Sequence, residues 1–208
     1  MWEKYLTNNH RYSKDSNEYY KVQLINSMLF LFIAAAAILI PVNMFLSHMY
    51  LLAKVQAVAL FVFLFIAYLF KKYNNINLAS LSLVLATGIM LMMFLLIQEH
   101  HYYALSLIAG FPPIAFFLRG KKEGFLYSFI VFVVSFVYML KNLGTWETTS
   151  FTWESIFNIV FTIIIVTLLM FYYEISRSKA FTVINEKNKE LESLASTDFL
   201  TSLLNRRA

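Results

Sequence analysis

Six stretches of this chain, Val22–Leu46, Leu51–Phe70, Ile76–Ile97, Tyr102–Leu118, Gly124–Leu140 and Ser155–Tyr173, are almost wholly apolar. Each approaches the roughly 20 residues that a helix needs to cross about 30 Å of hydrocarbon. Inside a bilayer, backbone amides must be satisfied within the segment that carries them, which selects helices for such runs. With 60% hydrophobic and only 14% charged residues, the chain departs from the soluble norm of about half apolar and a quarter charged. The residues outside the runs are divided between two ends and five short connections, too little for a soluble catalytic domain. The expected fold is an all-α membrane protein, a six-transmembrane-helix bundle, with no catalytic residue of its own. The absence of cysteine removes disulfides, thiolate metal sites and a cysteine nucleophile.

The basic residues set the expected orientation. All but two of the 17 lysines and arginines lie before the first run, in the second and fourth connections, or after the sixth run; Lys54 and Lys141 are the exceptions. By the positive-inside rule both termini should be cytoplasmic, in a multi-pass protein of the bacterial inner membrane. The fourth and fifth runs are short enough to be re-entrant, but an even number of crossings is what this asymmetry requires. The net charge of +5 then reflects topology and contact with anionic lipid rather than nucleic-acid binding. The first run extends well beyond the roughly 7–15 apolar residues of a secretory signal, so it is read as a retained helix. Residues 1–21, rich in Tyr and Lys, read as a cytoplasmic interfacial lead-in to a membrane domain over 22–173.

Lys54 is the sole Asp, Glu, Lys, Arg or His within the runs. Transporters and channels usually require such groups or a polar path at membrane depth, so transport is the weaker alternative. Asn26, Asn43, Asn77 and Asn158 supply polarity that ordinary helix packing explains. Pro112 and Pro113 fall in the middle of the fourth run, where proline removes a helix donor; a break there, acting as a hinge or a static kink, is expected.

Three histidines fall on the outer rim: His48 after the first run, and His100 and His101 after the third. Met44 and Met93 share helical faces with them. Imidazole with thioether suits copper, and imidazoles from two helices suit haem. One of the adjacent pair would face inward. Three readings stand together: an interfacial belt, a haem or metal site, and pH sensing through Glu99 beside His100. The outer loop repeats Thr145-Trp146-Glu147 as Thr152-Trp153-Glu154, which reads either as a pair of belt tryptophans or as an amphipathic lid.

Beyond Tyr173, residues 174–196 contain neither Gly nor Pro and carry a short heptad seam at Ala180, Ile184, Leu191 and Leu194, with Arg177 and Lys187 as polar members. A cytoplasmic signalling helix, pairing weakly as a parallel coiled coil in a homodimer, is expected. The last residues, 197–208, open with Asp198 as a helix N-cap ahead of Leu200, Leu203 and Leu204.

This ending, DFLTSLLNRR, resembles the opening of the GGDEF domain of diguanylate cyclases, Asp-x-Leu-Thr-Gly-Leu-x-Asn-Arg-Arg. Asp198, Leu200, Thr201, Leu203, Asn205, Arg206 and Arg207 match, and Ser202 stands where the family has Gly. The resemblance covers about the last 15 residues, the compass of a short motif. It implies that the remainder of a catalytic domain, with its GTP and Mg sites, belongs beyond Ala208. It also implies that the complete protein joins two GTP molecules into cyclic di-GMP as a dimer. The six spans would then be similar in role to MASE-type membrane sensors. Their stimulus would be an unknown small ligand or cofactor, with an apolar ligand or pH as alternatives to haem or copper.

Overall fold

The computed structural model describes residues 6–8, 12, 17–99, 101–142, 146 and 152–196. It divides into Met1–Met170 and Phe171–Ala208. Among the described residues there is no strand. Helix α1 (Asn17–Pro41) runs into one turn of π-helix, Val42–Leu46. Helices α2 (Tyr50–Tyr73) and α3 (Ile76–Gln98) come next. A 3₁₀ stretch, His101–Gly110, leads into α4 (Phe111–Lys141), and α5 is Trp153–Ser196.

Two asparagines make the turn between α2 and α3. Asn74 takes the left-handed conformation, φ 53°, and its N–H bonds the Phe70 carbonyl at 2.8 Å, closing α2 without glycine. Asn75 opens α3 by accepting the Leu78 N–H on its side chain at 3.0 Å. Lys71 and Lys72 occupy the last turn of α2, where cations suit the helix dipole. At this same end, buried Asn26 donates to the Leu6 carbonyl at 2.9 Å and to Asn8 Oδ1 at 3.1 Å. Asn8 in turn donates to Asn74 Oδ1 at 2.9 Å, and Asn74 to the Tyr12 hydroxyl. The lead-in is thereby tied to the α2–α3 turn. Asn26→Ala removes the donor that serves both acceptors, and a loss of about 1–3 kcal/mol is expected, read as a lower melting temperature in detergent.

Among the described residues, five apolar helical stretches are long enough to cross a membrane, and one of them, Tyr103–Lys141, has 39 residues. It is folded double. Gly120 lies at φ 73°, ψ −171°, a conformation open essentially to glycine alone. Beyond it, Gly124 comes so close to the preceding arm that a Cβ there would lie 2.7 Å from Phe116 Cα. In a continuous helix, residues eight apart are separated by about 12 Å. The two arms also meet α3 at one level: a Cβ on Gly88 would lie 3.2 Å from Phe111 and 3.7 Å from Val131. At the turn, Arg119 donates to the Asn77 carbonyl (3.2 Å), Ser80 Oγ (3.0 Å) and Glu123 (2.7 Å from Nε). The fourth run is therefore the 3₁₀ stretch with the first arm of α4, the fifth run is the second arm, and the described residues form six helical arms.

The prolines require a correction. Pro112 and Pro113 do not break a helix in its middle; they occupy the first turn of α4, where a missing N–H leaves no bond unmade. The irregularity lies ahead of them, in the ten residues of 3₁₀-helix.

The core gathers Val22, Ile25 and Leu29 of α1, Phe63, Ile66 and Phe70 of α2, Leu83 of α3, Ile114 of α4 and Leu169 of α5. Phe32 stacks on Phe63 with centroids 5.3 Å apart. Phe125, Phe129, Phe132 and Phe136 on the second arm of α4 are exposed and stack in pairs. So large an apolar surface on a single chain belongs against lipid tails or another protein.

The described residues of the second unit belong to α5. Ion pairs join Arg177 to Glu174 at 3.2 Å and Lys187 to Glu190 at 2.7 Å. The hydrogen bond from Lys187, and then its charge, hold the Glu190 carboxyl below the usual carboxylate range. Ile184 and Leu191 of the expected seam are exposed, as is Phe181, which the heptad reading omitted. The side chains of Ala180 and Leu194, and residues 197–208 with the motif Asp198, Leu200, Thr201, Leu203, Asn205, Arg206 and Arg207, lie outside the described residues.

Candidate functional site

The end of the bundle opposite the Asn74 turn is where the backbone departs from regular α-helix. Pro41 has no N–H to give, and the chain widens into the π turn, with Ser47 N–H bonding the Val42 carbonyl at 3.0 Å. The turn holds Asn43 in a buried position, where its Nδ2 donates to Gln56 Oε1 of α2 at 2.9 Å. On α3, Gln98 donates to Met49 Sδ at 3.0 Å. On α5, Thr162 donates to the Asn158 carbonyl at 2.7 Å, and its hydroxyl lies 3.1 Å from that of Ser106 in the 3₁₀ stretch.

Asn43, Gln56, Gln98 and Met49 border a cavity of about 500 Å³. Asn43, Gln56, Gln98 and Asn158 line it together with Leu39, Phe94, Leu107, Phe157 and Phe161. Trp153 and Glu154 stand on its wall at the start of α5. A smaller chamber of about 140 Å³ continues from it, sharing Leu39, Gln56, Phe94, Leu107 and Phe161 and adding Phe63, Phe111 and Ile114 from the core. The site is thus an apolar space with carboxamides around one part, a composition usual for small-molecule pockets.

A family model, MASE6, matches residues 15–184. The chain belongs to the MASE6 family. That places it among membrane-associated sensor domains and makes it a membrane protein. The MASE6 match takes in α1 to α4, the whole cavity and α5 as far as residue 184, and it ends before the motif at 198. Comparison with curated proteins and with solved structures returns no match.

Within this MASE6 domain His48, His101, Met44 and Met93, singled out by sequence, are not among the residues that line the cavity. His48, at φ 54°, is exposed, with Nδ1 3.4 Å from the Tyr50 hydroxyl. Met44 is exposed, and Met93 lines a groove between α2 and α3 together with Lys54. His101 is exposed at the start of the 3₁₀ stretch, and His100 lies outside the described residues. Among the described residues no group of three or more His, Cys, Asp or Glu is placed to hold a metal ion. Trp146 packs edge-on against Tyr138 at 5.7 Å, while Trp153 is exposed. Residues 147–151 of the repeat are outside the described residues.

Sequence reasoning missed Gln56 and Gln98 and treated Asn43 and Asn158 as packing residues. The available signal was a carboxamide within an apolar run, combined with a helix-distorting proline two residues before Asn43.

Proposed function

We propose that the chain is the input and transmitting part of a protein that synthesises cyclic di-GMP, with both termini cytoplasmic and an attached GGDEF domain beginning at Asp198. The observation that carries this reading is α5. A single helix of 44 residues extends from Trp153, on the cavity wall, to Ser196, two residues before the motif. The helix that borders the cavity therefore ends two residues before the resembling segment begins. The basic turns at Lys71–Lys72 and Arg119–Lys122 lie at the same end of the bundle as the lead-in, through the Asn8–Asn74 and Arg119–Asn77 bonds, which supports a common cytoplasmic side.

The mechanism is a population shift. Occupancy of the cavity favours one packing of α5 against the bundle, and the arm biases how two catalytic domains meet. A tenfold change in output requires about 1.4 kcal/mol of differential binding. The test joins a diguanylate cyclase catalytic domain at Asp198 and measures cyclic di-GMP in a strain lacking other cyclases. Output should differ at least about tenfold between the fusion and a version lacking residues 1–152. Equal output from both would exclude control by the membrane domain.

Dimerisation is part of the proposal, through the parallel seam of Ala180, Ile184, Leu191 and Leu194. Exposure of Ile184 and Leu191 on the single chain supports it. Single cysteines at Ile184 and Leu191 should cross-link to their symmetry mates several-fold faster than cysteines at Glu186 and Lys189. Equal rates at all four positions would remove this register.

A further inference from the structure

We infer that the carboxamide-lined cavity binds an uncharged amphiphile, a molecule with an apolar body and a single neutral hydroxyl or carbonyl head. The inference rests on reading the chain as a sensor and specifies the ligand class of its site. Three observations converge on that chemistry.

The first is the balance of charge. Among the described residues around the cavity, Glu154 is the single ionisable one, and it stands in the first turn of α5. A charged head placed among the amides would lose hydration, and the lining supplies no cation for an anionic head and Glu154 alone for a cationic one. A neutral head loses far less and is repaid by hydrogen bonds.

The second is the hydrogen-bonding capacity at one spot. The bond between Asn43 and Gln56 uses one N–H and one carbonyl. It leaves the Nε2 hydrogens of Gln56 and the Oδ1 of Asn43 for a further partner. A donor and an acceptor side by side suit a hydroxyl, and the donor alone suits a ketone, aldehyde, ester or quinone oxygen.

The third is shape. About 500 Å³ is within the range of small-molecule pockets, about 300–1,000 Å³. The adjoining chamber shares Gln56 with the cavity and is walled by Phe63, Phe111 and Ile114, which offers an apolar tail a place of its own. Such a molecule can come from the bilayer itself or from solution; the chemistry of the head and tail is common to both.

The test uses the purified chain in detergent micelles and a diazirine-bearing dodecanol, compared with the corresponding dodecanoate and dodecylammonium probes. The alcohol should label the cavity walls saturably, with sites in 39–56, 94–107 and 153–164, and unlabelled dodecanol should compete. The two charged probes should label at least about tenfold less. Gln56→Leu, which preserves volume, should lower labelling about tenfold, the loss expected for one hydrogen bond. Asn43→Leu supplies a second variant, and a melting curve for each verifies folding.

Equal labelling by all three probes, or labelling that dodecanol does not compete, would overturn the assignment. The source is read separately by solvent extraction of protein purified from membranes. A neutral lipid recovered with the wild type and lost from Gln56→Leu supports binding from the bilayer. Recovery of none, with dodecanol still binding, supports a diffusible ligand. Labelling is measured without a cyclase, so its failure and a failure of the output proposal are distinguishable.

Discussion

Gly124→Val should be among the most disruptive single substitutions in the membrane domain. The added Cβ would lie 2.7 Å from Phe116 Cα and 2.9 Å from both the Phe116 nitrogen and the Ala115 carbonyl. These are backbone atoms, so no side chain can rotate aside, and the two arms of α4 must separate. A cost of about 3 kcal/mol, the upper part of the range for overpacking, is expected. The arms also hold Phe111 and Val131 against Gly88 of α3, so the loss should spread beyond the turn. Thermal unfolding in detergent should show a large fall in melting temperature for Gly124→Val. Gly124→Ala should be only partly relieved, because the clash begins at Cβ. A melting temperature for Gly124→Val equal to wild type would refute the folded-back arrangement.

The second large effect concerns the phase of α5. Each inserted helical residue rotates the downstream part of the helix by about 100°, and seven residues make nearly two full turns. Two residues inserted after Tyr173, in the fusion to a cyclase domain, turn the seam at Ile184 and Leu191 by about 200° relative to the membrane portion. Output should change at least about tenfold, an amount that about 1.4 kcal/mol supplies. Seven inserted residues should restore output to within about twofold, since the rotation left over is only about 20°. Output that falls steadily with insert length, regardless of phase, would show that α5 does not transmit through its helical register.

Much of the architecture is legible in the sequence because the bilayer dictates it. Length and apolarity alone identify the runs, and the charged segment Arg119–Glu123 marks the turn between the two arms of α4. The proline pair was harder to place. Proline is equally at home at a kink and in a first helical turn, and only the preceding 3₁₀ winding decides between them. Likewise, nothing local distinguishes Gly124 from any other glycine; its constraint is a contact with Phe116 across the turn.

The site was less legible still. Ionisable and metal-ligating residues stand out in an apolar chain, which drew the reading to His48, His100 and His101, with Met44 and Met93. The cavity lining collects carboxamides from four separate elements: Asn43 from the π turn, Gln56 from α2, Gln98 from α3 and Asn158 from α5. No pair of these is related by a helical spacing, so their convergence depends on how the helices are docked. The π turn is one part of that docking, since it fixes where Asn43 meets Gln56.

The 3₁₀ stretch His101–Gly110 contains a reserve of length. Its ten residues rise about 2.0 Å each, against about 1.5 Å in an α-helix. Rewinding the whole stretch would shorten it by about 5 Å, close to one α-helical pitch. Leu107 on the cavity wall and Ser106 against Thr162 of α5 both sit on this stretch. A local change of winding there would act as a stroke, drawing the first arm of α4 along its axis while turning Ser106 and Leu107.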